Sequence, residues 1–198
     1  MKINADHWTI MGYWILFSIV HHFTASEKIK AVCRLYMHAG FRYYRLIYSL
    51  IAILTLSFVM YKQFTIKSFG LGIAPWLKNF IGIPFGELGI GLMGVSIYKY
   101  FFKLSGISIF FHENSSGSLE LHGIHKYVRH PLYLGTLLFI WSLFLFFPLL
   151  SNLQACVVIT LYVLIGIRSE ERKLVTLFGQ DYESYRHKTP GLIPNIRL

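Results

Sequence analysis

A chain of 198 residues is the length of a single domain. Hydrophobic residues make up 55% of it and charged residues only 14%, against roughly 25% in ordinary soluble domains. The charges gather between long uncharged runs, which excludes a soluble globular fold and predicts an all-α polytopic membrane protein. The net charge of +10 would suggest nucleic acid in a soluble chain. Here the Lys and Arg residues flank apolar runs and show no nucleic-acid-binding motif, so no nucleic-acid partner is expected.

The segment Met1 to Asp6 carries no secretory signal pattern, so the first apolar run, His7 to Ser26, is expected as a retained span. Its core is Trp8–Phe23, with Trp8 and Trp14 as interfacial anchors. A basic loop follows, containing Lys28, Lys30, Arg34, Arg42 and Arg45. A short second span is predicted over Leu46–Tyr61. Lys62–Asn79 is a connector with Gly70, Gly72 and Pro75, and its run Leu71–Leu77 suits the membrane interface. The third span is Phe80–Phe102, holding one acidic residue, Glu87. Lys103–Arg129 is polar, with a turn signal at residues 114–118.

Between Arg129 and Arg168 lie 38 residues without Lys, Arg, Asp or Glu. Pro148 and Ser151-Asn152 interrupt them, which predicts a helical hairpin, Leu132–Phe147 and Leu153–Ile167, joined by a tight turn. A charged helix from Arg168 to about Phe178 follows, capped by Gly179. The whole is expected as one membrane domain: three spans within 1–103, then a cofactor loop, hairpin and C-terminal helix within 104–198.

Five spans put the termini on opposite sides. Loop 25–45, segment 103–131 and tail 168–198 hold five, three and six Lys or Arg, fourteen in all, against four (Lys2, Lys62, Lys67, Lys78) on the other side. The positive-inside rule places the C-terminus in the cytoplasm and the N-terminus outside. Cys33 and Cys156 fall in a cytoplasmic loop and a span, so no disulfide framework is expected.

Chemistry concentrates at Gly123–Tyr133. Arg129, His130 and Pro131 stand where a polar loop enters an apolar helix. Pro131 suits the first helical turn, and the helix N-terminus offers backbone donors to an anion, to which Arg129 and His130 add their own. A hairpin returns the chain to the membrane face it left, so Glu170 and Glu171 are expected near Arg129 and His130. The plainer alternative is a set of span-end anchors and solvated ion pairs.

The string Gly123–Tyr133 with Gly135, then Glu170-Glu171-Arg172-Lys173-Leu174, Phe178-Gly179-Gln180-Asp181-Tyr182-Glu183-Ser184-Tyr185 and Gly191-Leu192-Ile193-Pro194, resembles the isoprenylcysteine carboxyl methyltransferase and phospholipid methyltransferase superfamily. Its elements, in order, are Arg-His-Pro-x-Tyr, a hairpin, Glu-Glu, Phe-Gly, Tyr-x-x-Tyr and a terminal Pro, over residues 117–194. His21-His22 and Tyr44-Arg45-Leu46-Ile47-Tyr48 resemble the bacterial branch that includes methanethiol S-methyltransferase, which implies a bacterial inner-membrane protein.

The resemblance implies a methyltransferase using S-adenosyl-L-methionine. It implies cofactor contacts at Gly117, Ser118, Leu119, Glu120, His125, His130, Pro131, Leu132, Tyr133 and Glu170. Arg129, His130, Glu171 and Arg168 are the expected catalytic set. His130 and the helix N-terminus suit a carboxylate, and Glu170 suits ribose hydroxyls or an amino group. The expected acceptor is lipophilic or small and membrane-permeant: a carboxylate, thiol or amine. Three positions depart from the carboxyl methyltransferases: Gly117 replaces a His, His125 replaces a Tyr, and the arginine associated with the substrate carboxylate falls at Gly166, with Arg168 two residues later. These departures bear on a prenylcysteine substrate more than on the cofactor.

Gly89-Ile90-Gly91-Leu92-Met93-Gly94 matches GxGxxG but sits inside an apolar span, where close helix packing by Gly86, Gly89, Gly91 and Gly94 is the expectation. His122, His125, His130 and Glu120 match no standard zinc spacing, and no metal is expected. Two rivals remain: an NADPH-dependent reductase related to the sterol reductases, and a non-catalytic membrane accessory protein.

Overall fold

The computed structural model describes residues 5–105, 119 and 121–193, with the side chains of 100–105 left aside. Among the described residues the regular structure is helical. The helices are α1 Ala5–Ala25, α2 Glu27–Met37, α3 Tyr44–Thr65, α4 Pro75–Leu77, α5 Ile83–Ser105, α6 Pro131–Phe146, α7 Leu150–Phe178 and α8 Gln180–Lys188. Among the described residues three helical runs are long and apolar enough to cross a membrane, namely Glu27–Thr65, Pro75–Lys99 and Leu150–Phe178, and α6 is a shorter apolar helix. The chain is an integral membrane protein. The expected first span is α1, which is 21 residues long.

Two compact units share the chain. Among the described residues the first comprises 5–72, 100–105 and 147–159. Its core joins Ile10, Trp14, Val59 and Ala155. Trp14 is therefore a core residue, 4% exposed, and not the interfacial anchor expected, whereas Trp8 is 59% exposed. The indole of Trp14 donates to Gln63 Oε1 at 2.9 Å, and Gln63 donates on to Asn152 Oδ1 at 2.9 Å. A buried amide is tolerated because each polar end finds a partner. Ser68 Oγ accepts from the Ser151 amide at 3.0 Å, satisfying an orphan donor at the start of α7.

Among the described residues the second unit comprises 73–99, 119, 121–146 and 160–193. Glycines let α5 and α6 approach closely. A Cβ built at Gly89 would lie 2.8 Å from the Phe139 nitrogen and 2.9 Å from the Gly135 carbonyl oxygen. One at Gly86 would lie 2.8 Å from Ser142 Oγ, which itself donates to the Gly82 carbonyl at 2.7 Å. Gly91 and Gly94 face open space, so the expected glycine packing holds for Gly86 and Gly89 only. Before α5 the helix widens to a π turn over Lys78–Gly82. Pro84 has no amide to donate to the preceding turn, and the wider turn makes room for its ring.

Three boundaries differ from expectation. The basic loop 25–45 contains a helix, α2, followed by a 3-10 helix at His38–Tyr43. The charged helix expected after the hairpin is the continuation of α7, because nothing between Ile167 and Glu171 breaks an i to i+4 ladder. Ser151 and Asn152, expected to interrupt, lie in the first turn of α7, where short polar side chains are favoured.

Candidate functional site

The site lies in the second unit, where the N-terminus of α6 meets the charged end of α7. A 3-10 turn, Gly123–Lys126, leads in, with Gly123 at φ +66, a conformation that favours glycine. The backbone amides of Arg129 and His130 then donate to the carbonyls of Pro190 (2.9 Å) and Gly191 (3.1 Å). The segment after α8 therefore runs beside the α6 entrance like an added strand. Gly191 permits the approach: a Cβ there would lie 3.4 Å from the Arg129 guanidinium.

Arg129 is 7% exposed and His130 5%. A buried cation is costly unless paired, and the pairing here is thorough. Arg129 Nε donates to Glu171 Oε1 at 2.9 Å, and its Nη2 lies 2.5 Å from the same oxygen. Its Nη1 donates to the carbonyls of Arg186 (3.1 Å) and Thr189. His130 Nε2 stands 3.1 Å from Glu171 Oε1, a contact in which the ring nitrogen donates and the carboxylate accepts. Its Nδ1 lies 3.8 Å from Glu170 Oε2. Arg186 Nε completes the ring at 3.8 Å from Glu171 Oε2.

Glu171 lies beyond the uncharged stretch of α7 that ends at Ile167. Burial alone would raise its carboxyl, but hydrogen bonds from His130 and Arg129, with the guanidinium charge, outweigh this and hold it down at about 2. Glu171 is therefore a permanent anion at physiological pH. Tyr182, 1% exposed, lies near it. Burial first, then the Glu171 carboxylate, push the Tyr182 phenol up.

The juxtaposition expected from the hairpin is present: Arg129 and His130 touch Glu170 and Glu171 across some 40 residues of chain. Tyr133 sets its ring 5.7 Å from that of His130, Pro131 is buried and Leu132 is half-buried. His125 Nδ1 donates to the Arg129 carbonyl at 3.2 Å, and Tyr185 Oη donates to the His125 carbonyl at 2.7 Å. Arg168 is not in the cluster: it is exposed, and its carbonyl accepts from Arg172 Nε. Leu119 is half-buried, while Gly117, Ser118 and Glu120 lie outside the described residues.

Sequence reasoning assigned no role to Thr189, Pro190, Arg186 or Tyr182. Tyr182 and Tyr185 were visible only as the Tyr-x-x-Tyr element of the resemblance, a spacing that puts both on one face of α8. The carbonyls that hold Arg129 had no signal, because a backbone acceptor has no residue type.

Residues 77–181, more than half of the chain, match the family described as phospholipid methyltransferase. The chain is 32% identical to a methanethiol S-methyltransferase of Crocosphaera subtropica over 139 residues, 64% of this chain and 53% of that protein. It is 41% identical to a protein-S-isoprenylcysteine O-methyltransferase of Schizosaccharomyces pombe over 86 residues, 42% of this chain and 36% of that one. A methanethiol S-methyltransferase of Bradyrhizobium diazoefficiens is 38% identical over 73 residues, 36% of this chain and 24% of that one. The chain thus spans about half or less of the length of these curated relatives. No solved structure matches it. The match begins just before α5 and ends in α8, so it takes in the whole Arg129–His130–Glu170–Glu171 cluster, and the chain belongs to the phospholipid methyltransferase family.

Proposed function

We propose that the chain is a membrane methyltransferase that uses S-adenosyl-L-methionine and methylates a small or lipophilic acceptor at the cytoplasmic face of a bacterial inner membrane. The observation that carries this is the buried contact of Arg129 and His130 with Glu170 and Glu171, inside the segment that matches the family.

The donor set suits the cofactor. Glu170 keeps a carboxylate 45% exposed beside a buried imidazole, and the positive end of the α6 dipole favours an anion there. An amino acid moiety needs that combination: donors for its carboxylate and an acceptor for its ammonium or for ribose hydroxyls. Bound S-adenosyl-L-methionine supplies an activated methyl on a sulfonium. His130, Leu132, Tyr133 and Glu170 are the proposed binding residues, with His125 and residues 117–120 flanking them. Arg129 and Glu171 are positioning residues. Most of the Arg129 donors are already spent inside the protein, so the pair fixes His130 and closes segment 189–191 over the site. Methyl transfer needs in-line approach of the acceptor, and positioning then supplies much of the rate.

A thiol is the acceptor class to test first, because two methanethiol S-methyltransferases match 64% and 63% of the chain, against 42% for the isoprenylcysteine enzyme. Arg168 is exposed and away from the cluster, which does not favour its replacing the carboxylate-binding arginine that falls at Gly166.

The test is calorimetric titration of the detergent-solubilised chain with S-adenosyl-L-methionine. Binding is expected, with a loss of at least about tenfold in affinity for His130→Ala and for Glu170→Ala, since each removes a charge-assisted contact. No binding by a folded wild-type chain, or stabilisation by NADPH instead, would overturn the assignment. Radiolabelled transfer to methanethiol, compared with transfer to a farnesylcysteine analogue, then decides the acceptor.

A further inference from the structure

We propose that α2 is a docking helix for anionic phospholipid, lying in the headgroup layer of the membrane leaflet at the α1–α3 turn. None of its eleven residues is buried. On a helical projection Ile29, Val32, Cys33, Tyr36 and Met37 form one arc, while Glu27, Lys28, Lys30 and Arg34 form the other. Part of the apolar arc is exposed: Val32 is 48% exposed and Tyr36 81%, whereas Leu35, at 71%, falls on the charged side between Glu27 and Lys28. A single exposed apolar side chain such as Leu35 needs no account, but an apolar strip along one short helix, with Val32 and Tyr36 open and no residue buried, does.

The placement of α2 points to lipid as the cover. It joins two helices of a membrane protein, so the bilayer surface is continuous with its ends. Local contacts hold it there. Ser26 caps its start, with Oγ 3.4 Å from the Ile29 amide. His38 then turns the chain at φ +45, and the Arg34 guanidinium lies 4.8 Å from the centre of the Phe41 ring in the returning segment. Tyr44 Oη donates to the Thr24 carbonyl, tying the foot of α3 to the end of α1. A helix fixed in this way presents its apolar strip without a further ordering cost.

The charge selects the lipid. Lys28, Lys30 and Arg34 are three cations against one anion, Glu27, which pairs with Lys30 at 3.0 Å. Arg42 and Arg45 follow within the same turn. Basic residues on an interfacial amphipathic helix favour anionic headgroups, and that attraction is screened by salt.

The test uses the full chain with Cys33→Ser and Cys156→Ser, and Tyr36→Cys carrying an environment-sensitive dye. It is reconstituted into phosphatidylcholine vesicles with or without 30% phosphatidylglycerol. In anionic vesicles the dye should shift to the blue and be at least about threefold less accessible to an aqueous quencher than in neutral ones. Molar salt should reduce the difference, an arm that needs no charge mutation. The variant Lys28→Glu/Lys30→Glu/Arg34→Glu should abolish it, with helical content checked by circular dichroism. Equal quenching in the two vesicle types, or a difference that survives both salt and charge reversal, would overturn the proposal.

Discussion

Glu171 carries more of the site than its neighbour, because its oxygens are shared among Arg129, His130 and Arg186. Replacing it with Gln keeps the size but leaves the Arg129 guanidinium buried without a counter-charge. Breaking one side of a buried pair costs about 3–5 kcal/mol. Glu171→Gln should therefore lower the thermal midpoint of the detergent-solubilised chain clearly, whereas Arg168→Gln, at an exposed position, should leave it almost unchanged. The same contacts give a pH dependence. The Glu171 carboxyl sits at about 2 in the folded chain against an ordinary 4.5. A depressed acid stabilises the fold fully above its unfolded value and loses that contribution as pH falls through the folded one. The window is thus from pH 4.5 down to about 2. Chemical unfolding followed by circular dichroism across that window should show a steeper loss in wild type than in Glu171→Gln. Equal slopes would mean that another carboxyl carries the acid sensitivity.

At the scale of elements, the close seam between α5 and α6 makes a sharper prediction than the apolar runs do. A methyl group at Gly89 would meet backbone atoms of Phe139 and Gly135, which cannot rotate away. Gly89→Ala should separate the helices and destabilise by about 1–3 kcal/mol, the usual cost of overpacking. Gly94 faces open space, so Gly94→Ala should be neutral, or stabilising by up to about 1 kcal/mol through helix propensity. Thermal melts of the two variants, side by side, check this. Sequence alone exposed the GxGxxG string and the membrane span around it, but not which glycines face the neighbour, since facing depends on where α6 packs. The long uncharged runs were legible for the same reason that membrane spans are: hydropathy acts on every residue of the run. Helices α2 and α8 were not expected, because a short polar segment reads equally as loop until something docks it. The hairpin and the meeting of Arg129 with Glu171 were legible, because a tight turn at Pro148 fixes both ends of two helices at once. The clasp of Arg129 by the Thr189 and Arg186 carbonyls was not.

For the whole molecule, length, apolarity and charge together bear on how many helices cross the membrane. Among the described residues three helical runs qualify by length and apolarity, and α6 is apolar but short at 16 residues. About 20 residues are needed to cross without thinning the bilayer, and α1 has 21 with two histidines near its end. Five crossings would put fourteen Lys and Arg on one side and four on the other, an asymmetry of the kind the positive-inside rule expects. A cysteine-free background with Asp6→Cys, Leu35→Cys, Lys67→Cys or Lys188→Cys, all at exposed positions, resolves the arrangement. With an impermeant maleimide on intact bacterial cells, positions 6 and 67 should react from outside, and positions 35 and 188 only after the inner membrane is opened. If α1 does not cross, positions 6 and 35 will behave alike. If α6 and α7 cross together as a hairpin, position 188 keeps the sidedness of the α6 entrance, which keeps the Arg129–Glu171 cluster on the side where cytoplasmic cofactor is available. Labelling of position 188 from outside would contradict both the topology and the proposed use of cytoplasmic S-adenosyl-L-methionine.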